Sequence, residues 1–215
     1  MPADRLFAKL GVLVVPDFLT STESDRLASA VEAAPLTEAS VRLRDRAEEV
    51  VDGGRRRTGR AEVAPEVSGF VVDRLLALRP TVEQFFALRL AGVLEPPKFL
   101  VYRPGDFFIP HRDMLETGTP VIAARRVNLV VSLNDPAASP DGPGYLGGAL
   151  TLYGLIDEPR WKRYGLPVPG TRGALVAFRS DVLHEVTAVV RGERLSIVSR
   201  MLDPGAEGTI ATSPG

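Results

Sequence analysis

The chain changes character at Pro96-Pro97, and that change limits its fold more than any other feature. Beyond it, apolar and β-branched residues fall in short runs separated by Gly, Pro and Asp turns until about Leu202. The spacing predicts strands over 98–103, 107–111, 127–134, 148–153, 173–178, 182–190 and 194–201. Strands this short at this spacing cannot bury themselves in pairs. They close as an antiparallel sandwich or barrel. With 215 residues there is room for one such core, and no internal repeat or interdomain linker divides it. Residues 1–202 therefore read as one domain, with 1–97 as a supporting part and 98–202 as the β core. Residues 203–215 are small, polar and Gly/Pro-bearing, and read as a loose tail.

The first part supplies helices. Residues 11–18 read as a strand, and Thr20-Ser21-Thr22-Glu23 is a capping box for a helix through Ala34, stopped by Pro35. Phe70, Val71, Leu75, Leu76 and Leu78 repeat at helical spacing, and Pro80 opens a second helical segment with Val82, Phe85 and Phe86. These helices should brace one face of the sheet. Residues 40–65 carry Gly53-Gly54, a run of arginines and few apolar positions, so they read as a mobile hairpin or surface loop. The apolar run Leu10 to Val15 is too short for a leader or a membrane span. A cytoplasmic protein is the expectation. Lys+Arg 26 against Asp+Glu 27 leaves a net charge of −1, so no overall field favours nucleic acid or an anionic membrane.

Two rare counts confine the chemistry. The chain has no cysteine, which excludes disulfides, thiolate metal sites and a Cys nucleophile, and it has two histidines, His111 and His184. His111-Arg112-Asp113 closes a predicted strand, where residues i and i+2 point the same way, so one imidazole and one carboxylate converge. His184 lies in a later predicted strand that a sandwich can bring opposite. Two imidazoles and one carboxylate form the facial triad of non-heme iron(II) sites and leave other positions open. His-x-Asp alone is common, and a half-exposed strand histidine plus a core histidine would explain it equally well. Ten residues after His184, Arg194 stands two positions before Ser196. A guanidinium pairs bidentately with a carboxylate, and a hydroxyl on the same strand face adds a further hydrogen bond. Other arginines, such as Arg191 or Arg200, read as solvated charges. Leu195, Ile197 and Val198 give Arg194 and Ser196 a definable face.

From Lys98 to Leu202 the chain resembles the prolyl-hydroxylase-like branch of the iron(II)/2-oxoglutarate-dependent dioxygenases. The residues that carry the resemblance are Tyr102-Arg103-Pro104-Gly105-Asp106, Pro110-His111-Arg112-Asp113, Leu133-Asn134, Gly147-Gly148-Ala149-Leu150, Gly173 through Phe178, His184-Glu185-Val186 and Gly192-Glu193-Arg194. The resemblance implies a mainly β, α+β fold: a double-stranded β-helix, or jelly roll, braced by N-terminal helices. It implies that His111, Asp113 and His184 bind Fe(II) and that Arg194 holds the C5 carboxylate of 2-oxoglutarate. Tyr102 would line the cosubstrate pocket, although a cross-strand packing role fits it too. Leu150 and Leu152 would pack near the cosubstrate, or serve only as core. The chain departs from many relatives at Ser132, where a cosubstrate-binding Tyr is usual, at Asn128, where Thr is frequent, and at Arg200, where Trp is frequent.

The activity implied is hydroxylation of an aliphatic C–H with dioxygen, coupled to decarboxylation of 2-oxoglutarate to succinate. The substrate would be a prolyl or other peptide residue, or a small molecule. The alternatives are a metal-dependent hydrolase on the same triad, which would need neither Arg194 nor Ser196, and a non-catalytic jelly-roll binding module. Arg55, Arg56, Arg57 and Arg60, with Arg125, Arg126, Arg179 and Arg200 near strand ends, are candidates for recognising an anionic substrate, against the reading of a solvated loop.

Overall fold

The computed structural model describes residues 3–39, 41–42, 49–50, 52–116 and 119–206. Its spine is the strand Arg194–Leu202, which pairs antiparallel with Lys98–Tyr102 on one side and Arg125–Ser132 on the other. Leu175–Arg179 and Leu13–Val15 extend the sheet beyond Arg125–Ser132, and Gly59–Ala61 and Leu36–Glu38 extend it beyond Lys98–Tyr102, giving seven strands. A second sheet of five strands runs in the order Gly165–Pro167, Leu150–Tyr153, His184–Val186, Phe107–His111 and Arg56–Arg57. These are two antiparallel sheets with helices on one side, as the β-rich second half and helical first half require.

The period-2 alternation of strands sorts side chains between two cores. Phe99 and Val101, Val127, Leu129 and Val131, Leu175 and Ala177, Leu195, Ile197 and Met201 all join one cluster with Leu27, Val31, Val71, Leu75 and Val82. That is the helix-covered face. The helices are Ser21–Ala33, Pro65–Ala77 and Arg79–Phe86. The first begins at the expected capping box, with Thr20 Oγ1 accepting from Glu23 N–H and Glu23 accepting from Thr20 N–H. The intervening positions, among them Lys98, Tyr102, Asn128, Arg194, Val198 and Arg200, point into the space between the sheets. Val198 thus lies on the opposite face from Leu195 and Ile197, not with them.

Three expectations change. Residues 40–65 are not only a surface loop: Gly59–Ala61 pairs with Lys98–Tyr102 and Arg56–Arg57 pairs with Phe107–His111, so this segment is stitched into both sheets. Hydrophobic counting misses it because backbone hydrogen bonds and stacking of arginines on rings hold it; Arg56 lies over the Phe108 ring and Arg57 over Phe107. Within it, residues 40, 43–48 and 51 lie outside the described residues. The strand expected over 182–190 is two strands, His184–Val186 and Val189–Arg191, the latter pairing with Leu146–Gly147. At this break Gly147 has φ +74°, and a Cβ there would fall 2.2 Å from the Ala188 carbonyl oxygen. The beginning of the expected tail is docked: Asp203 N–H donates to Ala124 and Ala206 is buried against Ala91 and Leu202. Residues 207–215 lie outside the described residues. No helix among the described residues is long and apolar enough to cross a membrane.

Candidate active site

His184 and His111 are register partners on neighbouring strands of the five-stranded sheet, so the two imidazoles meet across the ladder. Asp113 lies just past the end of Phe107–His111. Its N–H and that of Met114 both donate to the Ser180 carbonyl, which pins the residue beneath the end of Leu175–Arg179. The three side chains offer ligand atoms within 4.8 Å of one another.

Each histidine is oriented by the backbone two residues before it. His111 Nδ1 lies 2.8 Å from the Ile109 carbonyl and His184 Nδ1 lies 3.0 Å from the Val182 carbonyl. A carbonyl only accepts, so Nδ1 carries the proton in both rings and Nε2 keeps its lone pair. Phe108 stacks on His111 at 3.6 Å between centroids, and Phe178 meets the edge of His184 at 4.9 Å. Burial pushes the His111 imidazole down to about 3, with His184 adding to the effect, and burial also lowers His184. Both are neutral at pH 7. Burial alone would raise the Asp113 carboxyl, but the Arg200 guanidinium beside it, with the two histidines and Arg125, holds it well below the usual carboxylate range. Two neutral imidazoles with inward Nε2 atoms and one ionised carboxylate are the protonation states a divalent metal requires. The donor set therefore fits iron(II), and His111, Asp113 and His184 could hold it.

Behind Asp113 stands an ion network that corrects the reading of Arg200 as a solvated charge. Arg200 is 9% exposed, and its Nη2 donates to Asp113 Oδ1 at 3.0 Å while Nη1 reaches Glu95 Oε2 at 3.4 Å. Arg125 grips the same Glu95 through Nε at 2.5 Å and Nη2 at 3.0 Å, and donates to the Asp113 carbonyl at 3.0 Å. The charges alternate, so each buried ion has a partner. Arg125 and Arg200 are thus both engaged by the buried carboxylates of Asp113 and Glu95.

Arg194 behaves differently. It is 4% exposed and donates through Nη1 to Ser196 Oγ at 2.9 Å, and its guanidinium lies 5.3 Å over the Tyr102 ring. No carboxylate pairs with it among the described residues. Ser196 and Tyr102 are both buried beside it. Its backbone is set by Asn134, which accepts from Leu195 N–H at 2.9 Å and donates to the Glu193 carbonyl at 2.7 Å. A buried guanidinium without a counter-ion is costly unless an anion arrives. Val130, Leu150 and Arg194 line both the cavity around the triad and an adjoining cavity that contains Ser132. The charge therefore sits at the far end of a space that opens on the triad, which suits a dicarboxylate such as 2-oxoglutarate. Leu152, by contrast, is plain core.

Among the remaining candidates, Arg56 is buried and lines both the triad cavity and an open groove of about 410 Å³, whereas Arg57 lines only the groove, with Arg103 and Glu38. Arg55 borders a cleft that reaches His111 from outside, and pairs with Asp52 at 3.4 Å. Arg60 pairs with Glu62, Arg126 with Asp203, and Arg179 with Asp181 in solvent. Sequence reasoning missed Glu95, whose position before Pro96-Pro97 carries no periodic signal, and Lys98, which also lines the triad cavity. It treated Asn128 only as a departure. Ser180 Oγ donates to Asn128 Oδ1 at 2.9 Å, which fixes the amide and leaves Nδ2 buried without a partner among the described residues.

A family model described as the 2OG-Fe(II) oxygenase superfamily matches residues 97–199. A PKHD-type hydroxylase from Rhizorhabdus wittichii is 29% identical over 156 residues, covering 69% of this chain and 61% of that protein. The chain thus spans less than two thirds of that relative. A PKHD-type hydroxylase from Bordetella pertussis is 28% identical over 185 residues, covering 86% of this chain and 75% of that protein. Among solved structures, a prolyl-4-hydroxylase from Pseudomonas putida superposes with a TM-score of 0.68 at 24% identity, over 92% of this chain and 95% of that one. The arrangement of sheets and helices is therefore the double-stranded β-helix expected from the sequence.

Proposed function

We propose that the chain, whose residues 97–199 match the 2OG-Fe(II) oxygenase superfamily, is an oxygenase of that superfamily and hydroxylates an aliphatic C–H of a prolyl, peptide or small-molecule substrate. The observation that carries this reading is the buried, carboxylate-free Arg194 placed across one cavity from a ligand-ready triad. A hydrolase on the same triad would have no use for that guanidinium, and a binding module would have none for the protonation states of the three side chains.

Bound iron(II), with dioxygen and 2-oxoglutarate, supplies the oxidation, in which the cosubstrate loses CO₂ to become succinate and one oxygen atom goes to the substrate. The chain supplies position. His111, Asp113 and His184 would hold the metal through Nε2, a carboxylate oxygen and Nε2, and the Nδ1 hydrogen bonds keep both rings from turning. Arg200 occupies Asp113 Oδ1, which leaves Oδ2 for the metal. Arg194, oriented by Ser196 and carried over Tyr102, takes the distal carboxylate of 2-oxoglutarate, with Ser132 and Leu150 lining its course. The fixed amide of Asn128 offers a donor inside the cavity. Phe108, Phe178, Val130 and Leu150 keep the space apolar, which strengthens each of these electrostatic contacts. Arg57 in the outer groove and Arg55 in the cleft beside His111 are the arginines left to meet an anionic substrate.

The test is succinate release, with free amino acids, prolyl peptides and small acids supplied as separate pools. One pool should raise succinate output well above the substrate-free rate. His184→Ala should abolish it, along with the visible absorption band expected when iron(II) and 2-oxoglutarate are added without air. A folded protein showing neither band nor succinate would end the oxygenase reading.

A further inference from the structure

We propose that Asn128 and Arg200 form a donor pair that holds an uncharged carbonyl oxygen of the substrate beside the C–H to be oxidised. The proposal rests on the oxygenase reading above and narrows its substrate to one with an amide- or ketone-type carbonyl close to the reacting carbon.

Two donors at the triad cavity have nothing to donate to. Asn128 is 1% exposed, and its Nδ2 has no hydrogen-bond partner among the described residues. Arg200 engages Asp113 Oδ1 through Nη2 and Glu95 Oε2 through Nη1, and its Nε is likewise buried without a partner among the described residues. The two residues are register partners on Arg125–Ser132 and Arg194–Leu202, and both line the cavity that holds His111, Asp113 and His184. Directly opposed residues of an antiparallel pair have Cβ atoms about 5 Å apart, so one acceptor can meet both donors. Ser180 Oγ holds Asn128 Oδ1, so Nδ2 is the end of the amide left for the cavity. A buried donor that has lost its water and found no acceptor is destabilising, so the acceptor is expected from outside the chain.

The strand Arg125–Ser132 shows which molecule supplies it. Ser132, at one end, lines the cavity that adjoins the triad on the Arg194 side. Arg125, at the other end, lines a cleft of about 130 Å³ that reaches His111 and Asp113 from outside, with Leu115 and Ile122. Asn128 is four residues from Ser132 and Arg200 six from Arg194, separations of about 13 and 20 Å along a strand. A cosubstrate reaching from the triad to Arg194 runs away from the pair, whereas a substrate entering by the cleft runs onto it. Because Arg200 also holds Asp113, an oxygen on this pair lies beside the metal ligands, and the carbons next to it face the triad. The charge of the acceptor follows from the ion network. Asp113 and Glu95 already balance Arg125 and Arg200, and the amide of Asn128 is neutral. Such donors suit a neutral carbonyl; a carboxylate there would be set against that of Asp113.

The test uses the full chain loaded with manganese(II) and 2-oxoglutarate under nitrogen, and reads the relaxation of probe protons by the metal, at the manganese occupancy given by the free-ion EPR signal. Cyclopentanone and cyclopentane differ by one carbonyl, and isobutyramide and isobutyrate differ in charge. In the parent, cyclopentanone should bind better than cyclopentane. Asn128→Leu, which keeps the shape and removes the donor, should weaken cyclopentanone and isobutyramide on the order of tenfold, strengthen cyclopentane and leave isobutyrate as it was. Asn128→Thr, which keeps a hydroxyl for Ser180 and withdraws Nδ2, should weaken the two carbonyl probes without favouring cyclopentane. Carbonyl probes that bind no better than cyclopentane, or that neither variant affects, would overturn the proposal, since the pair would then serve only a water. Equal weakening of cyclopentanone and cyclopentane would overturn it in favour of a purely structural asparagine, and loss of isobutyrate along with isobutyramide would overturn the uncharged acceptor. The protons of 2-oxoglutarate report on the underlying reading in the same samples. If bound manganese does not relax them in the parent, the oxygenase reading falls and the donor pair with it; if it does and the probes fail, only the donor pair falls.

Discussion

Four residues of the candidate site were visible in the chain because their spacing is itself chemical. His111 and Asp113 are two apart, and Arg194 and Ser196 are two apart, so each pair shares a strand face whatever the rest of the fold does. Arg200 shows how the same rule can be underused. It is six positions after Arg194, and hence on the same inward face, yet a single arginine near a strand end looks like surface until parity is followed. Its partner Glu95 and the bracing Arg125 come from distant segments with no local pattern, and only the three-dimensional register brings them together. Because Arg200 is buried, removing it strands the Asp113 carboxylate. Arg200→Leu should lower the stability of the metal-free protein by roughly 3 kcal/mol, the cost of orphaning one member of a buried pair, read from urea unfolding. Combining it with Asp113→Asn should cost less than the two changes added. Strict additivity would mean that the hydrogen bond at 3.0 Å carries no coupling.

Among the elements, those with a hydrophobic period were the legible ones. Phe107–His111 begins and ends where the sequence places it, and the helix Ser21–Ala33 starts at its capping box. The two-residue strands Arg56–Arg57 and Leu146–Gly147 are too short for any period to register. The first of these alters how the arginine run should be tested. Arg56 lies 4.9 Å over Phe108, which stacks on His111, so it braces the strand that carries His111. Arg56→Glu should therefore weaken manganese binding and substrate-free 2-oxoglutarate turnover together. Arg57→Glu, in the open groove, should raise substrate KM several-fold and leave both of those readings unchanged. The assignment of the two arginines would be reversed if Arg57→Glu were the variant that loses metal.

On the scale of the whole molecule, the two sheets divide their duties. The seven-stranded sheet has an apolar face under the helices and a face toward the site that carries Arg194, Arg200 and Asn128, while the five-stranded sheet supplies the two histidines. In the proposed roles of His111, His184 and Arg194, metal and cosubstrate would tie one sheet to the other, and anything that binds only this folded arrangement stabilises it by mass action. Manganese and 2-oxoglutarate together, each at about a hundred times its Kd, should add roughly 2.7 kcal/mol per ligand to unfolding stability. In Arg194→Met the metal increment should persist and the cosubstrate increment disappear. A cosubstrate increment that survives would mean that the dicarboxylate is held elsewhere.

The pairing of His111 with His184 also has a consequence in time. The two residues are far apart in the chain, and the strands between them belong to both sheets, so their meeting requires a long loop to close and is among the slower events of assembly. The Nδ1 hydrogen bonds, by contrast, each span only two residues of chain and can form first. Each imidazole is therefore already facing the right way when its partner arrives. Capture of the metal then acts as a late checkpoint, passed only by a chain that has finished its topology.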